Sequence, residues 1–271
     1  MRELGVSIIY GRYEKVEKPE HLRMIADAGF DCFFTSYEDG DSIEALANQA
    51  KRLGVRFETI HTPFENMNWM WVNGEKGDQA LAELKSCIDI CARVDVDKCI
   101  VHVTISSTAP AISAIGMNRF RELGGYALQK GVHIAYENLE IPEHLDAVLR
   151  DAPVYHGFCW DCGHNYCYTP LVDMMGKYSD RLICTHIHDN FGVRTPGLIT
   201  YCDDLHMLPM EGGLNWQGFA DRIKASGYMG PLTLELSAKA KQEYQTMPLQ
   251  GFYQRAYAAA NLLRAMCDGN C

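Results

Sequence analysis

Short apolar runs alternate with stretches of helical periodicity along the whole 271-residue chain, and few folds accommodate that order. Strands separated each time by a helix read as repeated strand-helix units around a parallel sheet. The strands are predicted at Leu4 to Tyr10, Cys32 to Ser36, Arg56 to His61, Lys98 to Val103, His133 to Glu137, Gly157 to Asp161, Leu182 to His188 and Leu232 to Leu236. Eight such units close into a (β/α)₈ barrel of the α/β class. No linker or low-complexity segment interrupts the pattern, and 47% of the residues are hydrophobic, so residues 1–271 are expected to form a single domain around one core.

Prolines and capping residues predict the helix starts: near Pro19, after Ser42, at a cap on Asp78, about Pro110, at Pro142 and Pro170, and near Trp216. The last helix is expected from about Leu249 to Met266. The connection after the third strand is long and aromatic, with Phe64, Trp69, Met70 and Trp71, which suits a lid better than a linker. Trp69 and Trp71 would cover a substrate there, or bury a subunit contact in a homo-oligomer.

Composition narrows the partners. The formal charge is −10, from 25 basic and 35 acidic residues, which disfavours nucleic acid without excluding an enzyme that grips a polyanion through metal ions. The 11 cysteines are odd in number and form no framework, and MRELGVSIIY lacks a basic segment followed by a long apolar one. A reduced, cytoplasmic protein is expected. No stretch approaches the roughly 18 apolar residues of a membrane span.

In such a barrel the C-terminal strand ends form the active face, and here they are polar. They carry His61, His102, Glu137-Asn138, Asp161 with His164 three residues on, His186 and His188, and Glu235, while the loop after the seventh strand adds Asp204 and His206. Any one of these histidines alone reads as a hydrogen-bonded structural residue. Many carboxylates and imidazoles converging on one low-dielectric mouth instead require a cation. Nitrogen with carboxylate oxygen suits Mn²⁺, Zn²⁺, Co²⁺ or Fe²⁺ better than Mg²⁺ or Ca²⁺.

Other signals are weaker. Side chains alternate along a strand, so His186 and His188 point the same way and periodicity does not separate them. Cys159 and Cys162 bracket Asp161 as a C-x-x-C pair, read as packing residues because no second pair exists at comparable spacing. Arg194 could hold an oxyanion or lie on the surface, and Glu38, Asp39 and Asp41 make the loop after the second strand acidic.

The HIHDN strand end, the D-x-H-x-x-P and E-G-G-x-x-W that follow it, Glu137-Asn138, the WDCGH of the sixth strand and the late Glu235 resemble the xylose isomerase-like TIM barrels. The resemblance runs in order from His61 to Glu235. That superfamily contains sugar and sugar-phosphate isomerases and epimerases, inosose dehydratases and endonuclease IV-type enzymes. Similarity to its ketose 3-epimerases implies one divalent ion held by Glu137, Asp161, His186 and Glu235. The H-x-x-[DE] pattern fits His186 to Asp189, with His188 as the fallback. It implies further that the two glutamates exchange the substrate proton and that His164 contacts the sugar. The substrate arginine of those enzymes falls here on Gly192, so Arg194 fits only loosely.

Similarity to the endonuclease IV-type enzymes implies three zinc ions on nine ligands, matched by His61, His102, Glu137, Asp161, His164, His186, Asp204, His206 and Glu235. The acidic loop after the second strand and the tryptophan-rich loop after the third do not resemble a DNA-wedging surface. The expected activity is isomerisation or epimerisation of a small sugar, polyol or sugar phosphate through an enediolate, with Mn²⁺, Zn²⁺ or Co²⁺. Trp69, His164, His188 and Arg194 are the expected substrate contacts. A dehydratase, a three-zinc phosphodiesterase and a metal-binding subunit without turnover are the rivals.

Overall fold

The computed structural model describes residues 1–9, 11, 15–38 and 40–269. Its strands are Leu4–Ser7 (β1), Cys32–Ser36 (β2), Arg56–His61 (β3), Lys98–His102 (β4), His133–Glu137 (β5), Gly157–Asp161 (β6), Leu182–His186 (β7) and Leu232–Leu234 (β8). All pair in parallel, in the order β7-β6-β5-β4-β3-β2-β1-β8. The ring closes where Ile187 bridges Leu234, its N–H donating to Thr233 at 2.9 Å and its carbonyl accepting from Glu235 at 3.1 Å. Helices cover the outside, so the strands are buried along nearly their whole length and read in sequence as continuous apolar runs. The result is a (β/α)₈ barrel.

The helices are Lys18–Ala28 (α1), Gly40–Leu53 (α2), Glu75–Arg93 (α3), Ala114–Lys130 (α4), Pro142–Asp151 (α5), Cys162–Cys167 (α6), Met174–Tyr178 (α7), Trp216–Ser226 (α8), Gln242–Thr246 (α9) and Leu249–Asp268 (α10). Apolar residues three and four apart face the barrel, as Ile43, Leu46, Ala47 and Ala50 do on α2. Pro19 and Pro142 open α1 and α5 as predicted, and Ser113 caps α4 by accepting from Gly116 N–H at 3.1 Å. No helix among the described residues is long and apolar enough to cross a membrane.

Several boundaries differ from the sequence reading. β1 ends at Ser7, and Tyr10 and Asp39 lie outside the described residues. Helix α2 begins at Gly40, before Ser42. Asp78 is not a cap: α3 enters through Gly74 at φ 119°, and Asp78 sits in the first turn, where its carboxylate takes Arg119 Nη2 at 2.8 Å. Pro170 opens no helix, because Asp173 caps the short α7 and accepts from Gly176 N–H at 3.0 Å.

Most of the aromatic connection packs into the core, and of its aromatic residues Phe64 lines a cavity. Met67, Met70 and Trp71 form a 3₁₀ turn buried in the core, and the Trp71 indole N–H donates to Val103 O at 2.7 Å. Gly116 of α4 makes room for it, since a Cβ there would lie 2.2 Å from the indole. Trp69 faces outward, with Lys76 Nζ 4.3 Å from the ring centroid.

Candidate metal centre and cavity

Five consecutive strands each deliver one acidic or imidazole side chain to the top of the barrel. β3 ends in His61, β4 in His102, β5 in Glu137, β6 in Asp161 and β7 in His186. Parallel register fixes their neighbours, pairing His102 with Glu137 and Asp161 with His186. Asn138 then clamps the end of β6 from both sides: its Oδ1 accepts from Asp161 N–H and its Nδ2 donates to Asp161 O, each at 2.9 Å. Asp161 in turn caps α6, accepting from His164 N–H at 2.6 Å. That leaves Asp161 Oδ2 turned inward without a hydrogen-bond partner.

The donors fall into groups whose atoms all lie within 4.8 Å of one another. Glu137, Asp161, His186 and Glu235 make one; His61, His102 and Glu137 a second; His164, His188, Asp204 and His206 a third. Glu137 is shared: Oε1 stands 3.0 Å from His186 Nδ1, and Oε2 stands 3.1 Å from His102 Nε2 and 3.4 Å from His61 Nε2. His164 Nε2 and His206 Nε2 approach Asp204 Oδ2 at 3.2 and 3.0 Å. His206 reaches inward from a backbone at φ 52°, a left-handed conformation that a side chain of this size adopts at some cost.

This set fits divalent ions. Besides Asp161 Oδ2, the buried His186 Nε2, both ring nitrogens of His188 and Asp204 Oδ1 have no hydrogen-bond partner. Buried polar atoms are ordinarily paired, and so many facing one another without bonds is the donor arrangement that cations complete. The charges couple accordingly. Burial disfavours an ionised Glu137, yet His186 and the hydrogen bonds from the surrounding imidazoles hold it well below the usual carboxylate range. Burial opposes ionisation of Asp204 too, and His206 and His164 lower it well. Against the same desolvation, Asp161 and Asp204 raise His164, Glu235 and Glu137 raise His186, and Asp204 pushes His206 up to about 10. For His102 burial prevails and lowers it.

Above the groups opens a cavity of about 900 Å³, with His61, His102, His164, Asp204, His206 and Glu235 at its floor. Its walls are largely apolar, among them Ile8, Val16 and Phe64 from the β1 and β3 loops and Leu139, Tyr168 and Ile199 from the β5 to β7 loops. Phe64 stacks on His102 with centroids 5.0 Å apart, and Phe34 on His186 at 4.6 Å. Lys18 also lines the wall, its ammonium held by Thr35 Oγ1 and Glu38 Oε1 at 2.8 Å each. Sequence reasoning missed Glu140, a wall residue whose Oε2 is buried without a hydrogen-bond partner. Its place three residues beyond Glu137 was the available signal, by analogy with His164 after Asp161.

Three expected substrate contacts are not at the cavity. Trp69 is turned away by the 3₁₀ turn that buries its neighbours. Arg194 is bound to Asp203 and to Cys202 O. His188 is fully buried beneath the floor. The rest of the HIHDN and E-G-G-x-x-W motifs is scaffolding: the Asp189 carboxylate accepts from Asn190 N–H at 2.9 Å, Gly212 N–H at 2.8 Å, Leu214 N–H at 3.1 Å and Trp216 Nε1–H at 3.0 Å. Cys159 is buried as expected of a packing residue, although its sulfur also lies within 4.8 Å of donor atoms of Glu137 and His186.

The sequence model of the family described as xylose isomerase-like TIM barrel matches residues 22–255. The chain is 26% identical to the uncharacterized protein y4fM of Sinorhizobium fredii, over 90% of this chain and 77% of that one. It is 24% identical to the 3-dehydroshikimate dehydratase of Pseudomonas putida, over 80% of this chain and 36% of that one. Among solved structures, an L-ribulose 3-epimerase superposes with a TM-score of 0.77 at 15% identity, covering 100% of this chain and 97% of the other. A xylose isomerase-like TIM barrel/4-hydroxyphenylpyruvate dioxygenase fusion protein gives 0.77 at 17% identity; 99% of this chain spans 44% of the fusion's length.

Proposed function

This chain belongs to the xylose isomerase-like TIM barrel family, and we propose that within it the protein is a divalent-metal-dependent isomerase or epimerase of a small sugar, polyol or sugar phosphate. The observation that carries the reading is the group of Glu137, Asp161, His186 and Glu235, of which Glu235 opens onto the cavity. The sugar epimerases among the structures of like fold support the same class of substrate. Mn²⁺, Zn²⁺ or Co²⁺ held by these four residues would supply the positive charge that makes an enediolate accessible from a hydroxy ketone or aldehyde.

The chain's own groups divide the remaining work. Glu235 takes the proton from the carbon beside the carbonyl, since its carboxylate reaches the cavity and is held ionised, against burial, chiefly by His186. Glu137 lies on the floor beneath His61 and His102. Its return of a proton to the opposite face is what would distinguish an epimerase from an isomerase. His164 contacts a substrate hydroxyl, and the apolar walls exclude water from the carbanion.

Elimination would use the same intermediate, and the distant likeness to a dehydratase keeps it as the nearest chemical rival. A second reading rests on a separate observation: the nine residues expected of a three-ion site all fall into the three groups. Three ions suit phosphodiester hydrolysis. Against it, Glu38 lines the cavity and Asp41 follows at the start of α2, which would repel a phosphate backbone. The deciding experiment assays chelator-free protein, with its metal counted, on a ketose and polyol panel and on abasic duplex DNA. Interconversion of sugars supports the leading reading, and strand cleavage without it replaces that reading.

A further inference from the structure

We infer that the substrate carries a neutral apolar substituent, an aryl ring or a hydrocarbon of comparable size, which the upper walls of the cavity bind while a hydroxy ketone end meets the donors of the floor. The inference rests on the proposed isomerase or epimerase reading and narrows it, since it sets bare sugars and sugar phosphates aside.

The cavity changes character above its floor. Tyr168 stacks on the ring of His164, with centroids 5.2 Å apart and planes at 26°. It packs with Leu139 and Ile199 in an apolar cluster separate from the main core, and all three side chains line the cavity. Ile8, Ile9 and Val16, which follow β1, line it from across the ring, because β1 stands opposite β5 in the strand order. The apolar lining continues to the rim, where Phe64 is 39% exposed and Tyr201 80% exposed.

A bare sugar leaves this surface wet. The cavity holds about 900 Å³, toward the upper end of the roughly 300–1,000 Å³ that encloses drug-sized ligands. Sugar hydroxyls need partners when they leave water, and the side chains of Leu139, Ile199, Ile8 and Val16 offer none. An aryl ring needs no partner there, and it removes apolar surface from water on both sides of the contact. Charge decides against an anionic substituent. Among the described residues Lys18 is the one lysine or arginine in the lining, and its ammonium is held by Thr35 Oγ1 and Glu38 Oε1 at 2.8 Å each. Glu140 lines the same cavity with Oε2 buried and without a hydrogen-bond partner, so a phosphate would meet carboxylates and no idle counter-charge.

The test uses probes that share one metal-chelating head and differ only in the tail: propionohydroxamate, and the same chain ending in a phenyl or a phosphonate group. Each is titrated by calorimetry into the full chain loaded with Mn²⁺, Zn²⁺ or Co²⁺. The phenyl probe is expected to bind on the order of 10–100-fold tighter than propionohydroxamate, which is the worth of one buried aryl ring. The phosphonate probe should bind no tighter than propionohydroxamate. Ile199→Asn and Val16→Asn, from elements across the ring from each other, should each lower the phenyl-to-propionyl ratio about fivefold or more, with folding checked by circular dichroism.

Equal affinities for the three probes, a phosphonate that binds tighter than the phenyl probe, or a ratio untouched in a folded variant would each overturn the inference. A chain that binds neither metal nor any hydroxamate sinks the metal-dependent reading as well. Interconversion of bare sugars by a chain that binds the three probes alike sinks this inference alone.

Discussion

Glu137 and Glu235 meet at a single atom, His186 Nδ1, which stands 3.0 Å from an oxygen of the first and 3.1 Å from an oxygen of the second. The two carboxylates are otherwise unlike. Glu137 is sealed among imidazoles, and Glu235 lines the cavity. Replacing Glu235 by Gln keeps the shape and removes the base. Turnover is expected to fall by roughly 10²–10⁴ while substrate still binds, read by kinetics and by titration of the inactive variant. Full activity in Glu235→Gln would discard its assignment as the base.

The donor set also predicts how stability depends on pH. His164, His186 and His206 are raised above the ordinary histidine value, His206 to about 10, so in the metal-free protein their contribution is complete below roughly pH 6.5 and is lost as pH climbs toward 10. Glu137, Asp204 and Glu235 are lowered, so theirs is present above roughly pH 4–5 and is lost on acidification. The metal-free thermal midpoint should therefore peak at roughly pH 5–7 and decline on either side. Metal displaces those protons, so the loaded protein should hold its midpoint on the alkaline side. Melting curves across pH, with and without metal, check both; coincident curves would contradict the coupling.

Trp69 and Trp71 should separate cleanly. Trp71→Ala opens a void between the 3₁₀ turn and α4 and removes the bond to Val103, at an expected cost of about 3–5 kcal/mol. Trp69→Ala should change stability by no more than about 0.5 kcal/mol and leave KM unaltered. Denaturant unfolding and steady-state kinetics measure the pair. A large KM effect at Trp69 would restore it as a substrate contact.

Asp189→Ala strands four donors around the Gly212–Trp216 turn. A loss of about 3 kcal/mol or more is expected, with bound metal per folded chain unchanged. Metal loss from a folded Asp189→Ala chain would make it part of the site.

Arg194→Ala, by contrast, should cost less than about 1 kcal/mol, because its salt bridge to Asp203 is half exposed. Unchanged substrate affinity is expected, and a clear rise in KM would show that the arginine leaves Asp203 for a ligand.

The barrel was legible because its evidence is local. Seven of the eight strands end in a polar residue, and His61, His102, Glu137, Asp161 and His186 stand at the C-terminal ends of their strands as expected. What sequence could not resolve depends on where a chain turns. Trp69 and Trp71 are two residues apart, and only the pitch of a 3₁₀ turn decides that one is core and the other surface. His186 and His188 share a face by alternation, yet β7 ends between them, and they join different donor groups. Gly74 outdid Asp78 as a helix start because the entry needs positive φ, which glycine supplies without strain.

The Asn138 clamp on Asp161 has a wider consequence. One side chain reproduces, at the rim, the two backbone bonds a further rung of the ladder would have made, so the placement of Glu137, Asp161 and His186 is set by the sheet rather than by the loops above it. Loops other than the one that carries Asp204 and His206 can then be lengthened, shortened or exchanged while these strand-borne donors keep their spacing. Such a barrel can change what it recognises one wall at a time without reinventing its chemistry.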